Sequence, residues 1–129
     1  MNVVDSSGWL EYFADGANAE FFAGPIASAE DLLVPTLSIY EVFKRVLQQR
    51  GRDDAFQAVA AMERGRVVDL SRDIALRAGQ ISLSEKLHMA DSIILATARL
   101  FEATVWTQDA DLEAYEDVRF VRRKPEAGG

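Results

Sequence analysis

The chain has 129 residues and a mass of 14.3 kDa, enough to bury the core of one three-layer domain and too little for a second module. It has no cysteine, which excludes thiol nucleophiles, disulfides and thiolate metal sites. Its formal net charge of -7, from 14 basic and 21 acidic residues, by itself disfavours nucleic acid as a partner. That objection weakens if several acids bind cations, because the cations neutralise them.

Nothing in the sequence predicts export or membrane insertion. The N-terminal region carries Asp5, Glu11 and Asp15 where a signal peptide would carry basic residues. The most apolar window, 92–101, contains Arg99 and is shorter than the roughly 20 residues needed to cross a bilayer. We therefore expect a soluble protein of the cytoplasm that has no membrane contact.

Short apolar runs alternate with helical patterns along the chain. In chain order they predict a strand at 3–4, helices at 9–13 and 18–23, a strand at 32–34, helices at about 36–49 and 52–64, a strand at 67–68, helices at 71–87 and 90–101, and strands at 104–106 and 118–121. Gly24-Pro25 is expected to end the second helix, and Thr36 and Ser38 to cap the third. This alternation predicts an α/β fold with a mainly parallel sheet of four to five strands, covered by helices on both faces.

The domain boundary is predicted near the C-terminal end. Residues 1–123 are expected to form a single domain. Residues 124–129 have little to pack against it and are predicted to be a flexible tail.

Four acids stand in apolar segments that have no local use for a charge: Asp5, Glu41, Asp91 and Asp109. Asp5 and Asp109 follow predicted strands, whereas Glu41 and Asp91 lie near the starts of predicted helices. An open parallel sheet binds ligands beyond the carboxyl ends of its strands, so we expect the four to converge. Two carboxylates about 4 to 5 Å apart repel by roughly 4 kcal/mol at an effective dielectric of 20. Hard divalent cations relieve that repulsion, and the cluster predicts a site for Mg²⁺ or Mn²⁺.

Each acid also has an ordinary structural explanation. Asp5 and Asp91 are favourable at the start of a helix, and Glu41 can pair with a basic residue one turn on. Asp109 can close an Asx turn. The four placements together favour a shared site. Otherwise four unrelated acids would all have to occur by chance at strand ends and helix starts.

Four short strings give the chain a resemblance to the PIN-domain nucleases, and more closely to the VapC-like toxins of type II toxin–antitoxin pairs. The strings are Val3-Val4-Asp5-Ser6-Ser7, Ser38-Ile39-Tyr40-Glu41-Val42, Ala90-Asp91-Ser92-Ile93-Ile94-Leu95-Ala96-Thr97-Ala98 and Thr107-Gln108-Asp109-Ala110-Asp111-Leu112. Their order and spacing are more specific than any one of them. The resemblance extends from Met1 to about Val121 and implies a three-layer α/β/α PIN-like fold.

The resemblance also implies an activity and the residues that perform it. A catalytic metal site would comprise the quartet Asp5, Glu41, Asp91 and Asp109, with supporting roles for three further residues: Ser6, Thr107 and Asp111. The chain would be an Mg²⁺- or Mn²⁺-dependent ribonuclease that hydrolyses RNA phosphodiester bonds to 5′-phosphate and 3′-hydroxyl ends. It would act as the toxin of a toxin–antitoxin pair.

The partners that the resemblance implies are an RNA substrate, a cognate antitoxin protein and a second copy of the chain in a homodimer. An aromatic groove is the expected antitoxin site, near Trp9, Tyr12, Phe13, Phe21 and Phe22. Candidates for contact with RNA phosphates are the basic residues Lys44, Arg45, Arg50, Arg52, Arg119, Arg122, Arg123 and Lys124. The sequence does not select among them.

A phosphoacceptor receiver-like signalling domain is the main alternative. It would use Asp69 after the third predicted strand, with Thr107 and Lys124, but it leaves Glu41 and Asp91 unexplained. A haloacid-dehalogenase-type phosphatase would need a second aspartate at position 7, where this chain has serine. A pure binding module would make all four acidic placements coincidental.

Overall fold

A computed structural model describes residues 1–125, which form five strands and six helices. In chain order these are β1 (Asn2–Val4), α1 (Ser6–Phe13), α2 (Ala19–Ala27), β2 (Leu32–Pro35), α3 (Thr36–Arg50), α4 (Arg52–Met62), β3 (Arg66–Val68), α5 (Arg72–Glu85), α6 (Met89–Leu100), β4 (Thr104–Thr107) and β5 (Val118–Phe120). Two short 3-10 helices, Ala29–Asp31 and Ala110–Leu112, precede β2 and follow β4. The predicted tail includes residues 126–129, which lie outside the described residues.

The strands form one parallel sheet in the order β3-β2-β1-β4-β5. In the central strand, Val3 pairs with Leu33 of β2 on one side and with Val105 of β4 on the other. The carboxyl ends of β1 and β4 therefore lie side by side. This arrangement brings the loops that begin at Asp5 and after Thr107 to the same edge.

Alternation along β1 divides the apolar core into two layers. Val3 belongs to a cluster with residues of α5 and α6, whereas Val4 belongs to a cluster with residues of α1, α2, α3 and α4. Successive side chains of a strand point to opposite faces, so helices cover both faces of the sheet. The predicted three-layer α/β/α fold is confirmed.

The predicted end of the second helix was wrong. Helix α2 continues through Gly24 and Pro25 to Ala27. A proline in a helix removes one backbone donor, but the Pro25 ring is buried, and this burial offsets part of the loss. The helix ends soon afterwards, where the Ser28 N–H donates to the Pro25 carbonyl.

The predicted caps of α3 were also wrong, because β2 runs directly into this helix. Pro35 is the N-cap, and within residues 1–125 no side chain caps the helix. Thr36 instead accepts a hydrogen bond from the Leu70 N–H at 3.3 Å. Ser38 is inside the first turn, fully buried, and its hydroxyl has no hydrogen-bond partner among the described residues.

None of the helices within residues 1–125 combines the length and the apolar character needed to cross a membrane.

Candidate metal centre

Asp5 lies at the junction of β1 and α1, where it is the N-cap of the helix. One carboxylate oxygen accepts the Gly8 N–H at 3.0 Å and the Ser7 hydroxyl at 2.8 Å. The other accepts the Thr107 hydroxyl at 2.7 Å. Burial raises the pKa of Asp5 from its ordinary value, the three donors oppose that rise, and the charge of Asp109 adds to it.

Thr107 links Asp5 to the opposite wall of the centre. Its hydroxyl donates to Asp5 and also accepts the Asp109 N–H at 2.9 Å. Asp109 then caps the 3-10 helix that follows β4, since its carboxylate accepts the Asp111 N–H at 2.9 Å. A single buried hydroxyl therefore fixes the position of the Asp109 backbone relative to the Asp5 carboxylate.

Asp91, Asp109 and Asp111 form the tightest acidic group of the site. Each offers a carboxylate oxygen within 4.8 Å of the others. Asp91 lies in the first turn of α6, and burial is the main cause that raises its pKa to about 7. The charges of Asp109, Asp5 and Asp111 contribute to that rise, as does a hydrogen bond with Asp109. The raised pKa of Asp91 therefore reflects both its burial and its closeness to the other carboxylates.

Glu41 approaches the centre from α3 through a serine. The Ser6 hydroxyl donates to the Glu41 carboxylate at 2.6 Å, over a separation of 35 residues. Ser6 is the residue after Asp5, so this bond holds the half-buried Glu41 against the turn that Asp5 caps. The structure thus clusters Asp91, Asp109 and Asp111 and places Asp5 beside them. Glu41 is joined to the group through Ser6.

Ser6→Ala is expected to weaken the binding of a divalent cation by about 10-fold, because loss of a group that orients a metal ligand costs this much or more. Stability should fall by only about 1 kcal/mol, the value of a typical hydrogen bond. Calorimetric titration with Mn²⁺ and urea unfolding measure the two effects. Ser84→Ala, at an exposed position of α5, is the matched control. Unchanged Mn²⁺ affinity in Ser6→Ala would show that Ser6 does not position Glu41 for cation binding.

The chemistry of these side chains fits a hard divalent cation. All the candidate ligands are carboxylates, and this donor set suits Mg²⁺ and Mn²⁺ rather than softer metals. The raised pKa values of Asp5 and Asp91 have the same main cause, which is burial, and neighbouring carboxylates add to both. A bound cation would supply the missing positive charge.

The structure does not bring Asp69 and Thr107 together into the site that a phosphoacceptor domain would use. Asp69 is exposed and follows β3, the edge strand, whereas Thr107 ends β4 on the far side of β2 and β1. The Thr107 hydroxyl is engaged by Asp5 and by the Asp109 backbone. Asp69 and Thr107 therefore do not form the pair that a phosphoacceptor domain would need.

Sequence reasoning missed three residues that surround the centre: Ser7, Asn18 and Gln108. Ser7 donates to Asp5, while Asn18 and Gln108 form a buried pair beside it. Ser7 could have been found from its position two residues after Asp5, in the segment that precedes the first helix. Gln108 was flanked by two candidate residues, but only the fold brings Asn18 to it.

The predicted aromatic groove requires a correction. Trp9 and Phe22 are fully buried in the core, so neither can touch a partner. Tyr12, Phe13 and Phe21 are half-buried around them, and the Phe13 ring stacks on Trp9 at 5.7 Å. These rings are needed to fill the layer between α1, α2 and the sheet, which leaves little aromatic surface for binding.

A groove does exist beside this layer, between α1, α3, α4 and the segment after β5. It has a volume of about 650 Å³. Its lining includes Leu10, Phe13, Val46 and Ala58 from the helices, together with the charged residues Glu11, Arg45, Arg50, Asp54 and Arg123. Ser7 and Gln108 also line it, so the groove reaches the edge of the acidic centre.

The sequence from residue 3 to residue 118 matches the family model of the PIN domain. The chain belongs to the PIN-domain family. The match begins within β1, ends at the first residue of β5 and includes the four acids of the centre. A comparison of the sequence with curated proteins found no match.

Solved structures share the fold of this PIN domain at low sequence identity. A toxin–antitoxin complex from Klebsiella pneumoniae is 21% identical with a TM-score of 0.79, covering 92% of this chain and 96% of that chain. VapC20 of Mycobacterium tuberculosis, a toxin that cleaves the sarcin–ricin loop, is 20% identical with a TM-score of 0.75, covering 97% of this chain and 100% of that one. VapBC2 of Rickettsia felis, bound to a promoter DNA fragment, is 10% identical with a TM-score of 0.73, covering 94% of this chain and 97% of that one.

Proposed function

We propose that the chain is a divalent-metal-dependent endoribonuclease and the toxin of a toxin–antitoxin pair. The observation that carries the proposal is the group of Asp91, Asp109 and Asp111 oxygens within 4.8 Å, beside the buried Asp5. Membership of the PIN-domain family and the toxins among its structural neighbours support the same function.

Asp5, Glu41, Asp91 and Asp109 would hold the cation, with Asp111 as an auxiliary carboxylate. When bound, Mg²⁺ or Mn²⁺ supplies a water of lowered pKa and stabilises negative charge on the leaving oxygen. Thr107 keeps Asp5 and Asp109 at a fixed separation, and Ser6 orients Glu41. Because the ligands are oriented before RNA arrives, little reorganisation is needed during the reaction.

The proposed reaction is hydrolysis of an RNA phosphodiester. Water adds to the phosphorus, the bond from phosphorus to the 3′-oxygen breaks, and that oxygen leaves as a hydroxyl. The products are one 3′-hydroxyl end and one 5′-phosphate end. A chain without cysteine can perform this reaction, since water is the nucleophile and no side chain forms a covalent intermediate.

Cleavage of a mixed pool of structured and single-stranded RNA tests the proposed function. The protein is incubated with Mn²⁺, with Mg²⁺, or with EDTA followed by excess Mn²⁺, and the product ends are identified by phosphatase and ligase treatment. We expect cutting that EDTA abolishes and Mn²⁺ restores, with 5′-phosphate products. Cutting that persists in EDTA, or products with 2′,3′-cyclic phosphates, would contradict the proposal.

The antitoxin is proposed to occupy the groove between α1, α3 and α4 instead of an aromatic groove. The floor includes Leu10, Phe13 and Val46, which can receive apolar side chains of a partner segment. Arg45, Arg50 and Arg123 are at the groove and favour acidic groups on that segment. A segment in this position would also contact Ser7 and Gln108 at the edge of the metal centre, which would obstruct access of RNA.

A double charge reversal, Arg45→Glu with Arg123→Glu, is expected to weaken antitoxin binding by about 10-fold or more. The new carboxylates would repel an acidic segment, and interfacial charge pairs are worth 1.5 kcal/mol or more when close. Calorimetric titration of the purified pair measures the effect. The double variant Arg72→Glu with Arg77→Glu, at two exposed positions of α5, makes the same change in net charge and is the control. Equal affinities in both variants would place the antitoxin elsewhere.

The homodimer and the cytoplasmic location stay predictions. Helix α5 carries the exposed apolar residues Leu76 and Leu83, and Met89 is exposed at the start of α6. Apolar side chains at such positions are suitable for contact with a second copy.

A further inference from the structure

Two buried amide side chains join the segments that carry Asp5 and Asp109. Asn18 and Gln108 are 3% and 4% exposed, and the Asn18 Nδ2 group donates to the Gln108 Oε1 atom at 3.0 Å. The two residues are 90 positions apart in the sequence. A buried amide is costly unless it is hydrogen-bonded, so each side chain depends on the other for burial. We call Asn18 and Gln108 the amide clamp.

Gln108 connects both walls of the metal centre. It lies between Thr107 and Asp109 in the chain, and its Nε2 group donates to the Ser7 carbonyl at 3.4 Å. The Ser7 hydroxyl in turn donates to Asp5 at 2.8 Å. The loop that carries Asp109 is therefore tied to the turn that carries Asp5 by the Gln108 side chain, in addition to the Thr107 hydroxyl.

Asn18 anchors the other end of the amide clamp. Its Nδ2 group also donates to the Arg122 carbonyl at 3.0 Å, and its backbone N–H donates to the Glu11 carboxylate at 2.8 Å. Glu11 belongs to α1, the helix that Asp5 caps, and Arg122 follows β5. Asn18 thereby ties Gln108 to helix α1 and to the segment after β5.

We propose that the amide clamp sets the spacing between the Asp5 and Asp109 carboxylates, which makes Asn18 and Gln108 positioning residues for the divalent cation. The inference rests on the proposed function, because it concerns the same metal centre. Neither side chain needs to touch the metal. Groups that orient metal ligands from outside typically change metal affinity by about 10- to 100-fold when they are removed.

Gln108→Ala and Asn18→Ala are each expected to weaken Mn²⁺ binding by about 10-fold, as measured by electron paramagnetic resonance of the free ion. The Mn²⁺ concentration for half-maximal RNA cleavage should rise by the same factor, whereas the maximal rate at saturating Mn²⁺ should stay within about threefold of the wild type. The double variant should bind Mn²⁺ no more weakly than the weaker single variant, because the residues act as a unit. Gln108→Asn keeps the amide group on a side chain that is one methylene shorter. If the alanine variants do not fold, this variant replaces them in the same measurements.

Asn2→Ala is the matched control, because it removes another amide contact between β1 and β4. The Asn2 side chain accepts the Trp106 indole N–H at 2.8 Å, at the start of β1 and away from the acids. We expect this variant to lose stability while its Mn²⁺ affinity stays within about twofold of the wild type. If the clamp variants behaved in the same way, the positioning role would be overturned. A wild type that bound no Mn²⁺ would overturn the proposed function itself, and the positioning role with it.

Discussion

Asp5→Asn is expected to lower the rate of metal-dependent RNA cleavage by about 100-fold or more. The substitution removes one negative charge from the cation site, and a catalytic metal contributes several kcal/mol of charge stabilisation in the transition state. The unfolding free energy without metal should stay within about 1 kcal/mol of that of the wild type, because relief of the buried charge opposes loss of the acceptor for the Thr107 hydroxyl. Asparagine is an equally good N-cap, and it is not penalised by burial as the Asp5 carboxylate is.

Cleavage rates and urea unfolding of the same preparations separate chemistry from folding. Asp91→Asn, which changes a carboxylate on the other side of the centre, is expected to lose cleavage in the same way. The matched control is Asp69→Asn, at an exposed aspartate after the edge strand β3. It should cleave RNA at the wild-type rate. Full cleavage by Asp5→Asn, or a similar loss in Asp69→Asn, would show that the catalytic residues have been misassigned.

The metal-free protein is expected to lose stability as the pH rises from 5.5 to 8. Asp91 has a pKa of about 7 in the folded chain and an ordinary pKa near 3.9 when unfolded, so the folded state binds more protons between these values. Deprotonation through this window therefore destabilises the fold. Since Asp91 is half-buried and partly screened by water, we expect an effect of about 1 kcal/mol, or roughly 4 °C in Tm.

Thermal unfolding in EDTA at several pH values measures this effect. Asp91→Asn should flatten the dependence, whereas Asp53→Asn, at an exposed position in the first turn of α4, should keep it. Added Mn²⁺ should raise Tm more at pH 8 than at pH 5.5, because protons compete with the cation for the carboxylates. A wild type whose stability rises over this pH range would refute the electrostatic account of the centre.

Much of the fold followed from local patterns in the sequence. Short apolar runs placed all five strands, and acids directly after two of them indicated which edge of the sheet carries the site. Local rules failed where the environment outweighed them. Pro25 continues α2 because its ring is buried, and Ser38 does not cap α3 because Pro35 already stands at the junction.

The surroundings of the metal centre were less accessible to sequence reasoning. The pairing of Asn18 with Gln108, and of Ser6 with Glu41, joins residues far apart in the chain. No local pattern encodes such contacts. The aromatic residues after Asp5 suggested a groove, but apolar rings are equally suited to a core, and Trp9 is buried there. The groove between α1, α3 and α4 depends on how the helices pack against one another.

Titration with Mn²⁺ asks whether the acids form one cation site, and the measurement does not depend on finding the right RNA. Free Mn²⁺ is followed by electron paramagnetic resonance at pH 8 in the wild type and in Asp5→Asn. A single cation site predicts saturable binding of Mn²⁺ to the wild type that Mg²⁺ displaces, and binding at least about 10-fold weaker in the variant. Equal binding by both proteins, or no binding by the wild type, would contradict it.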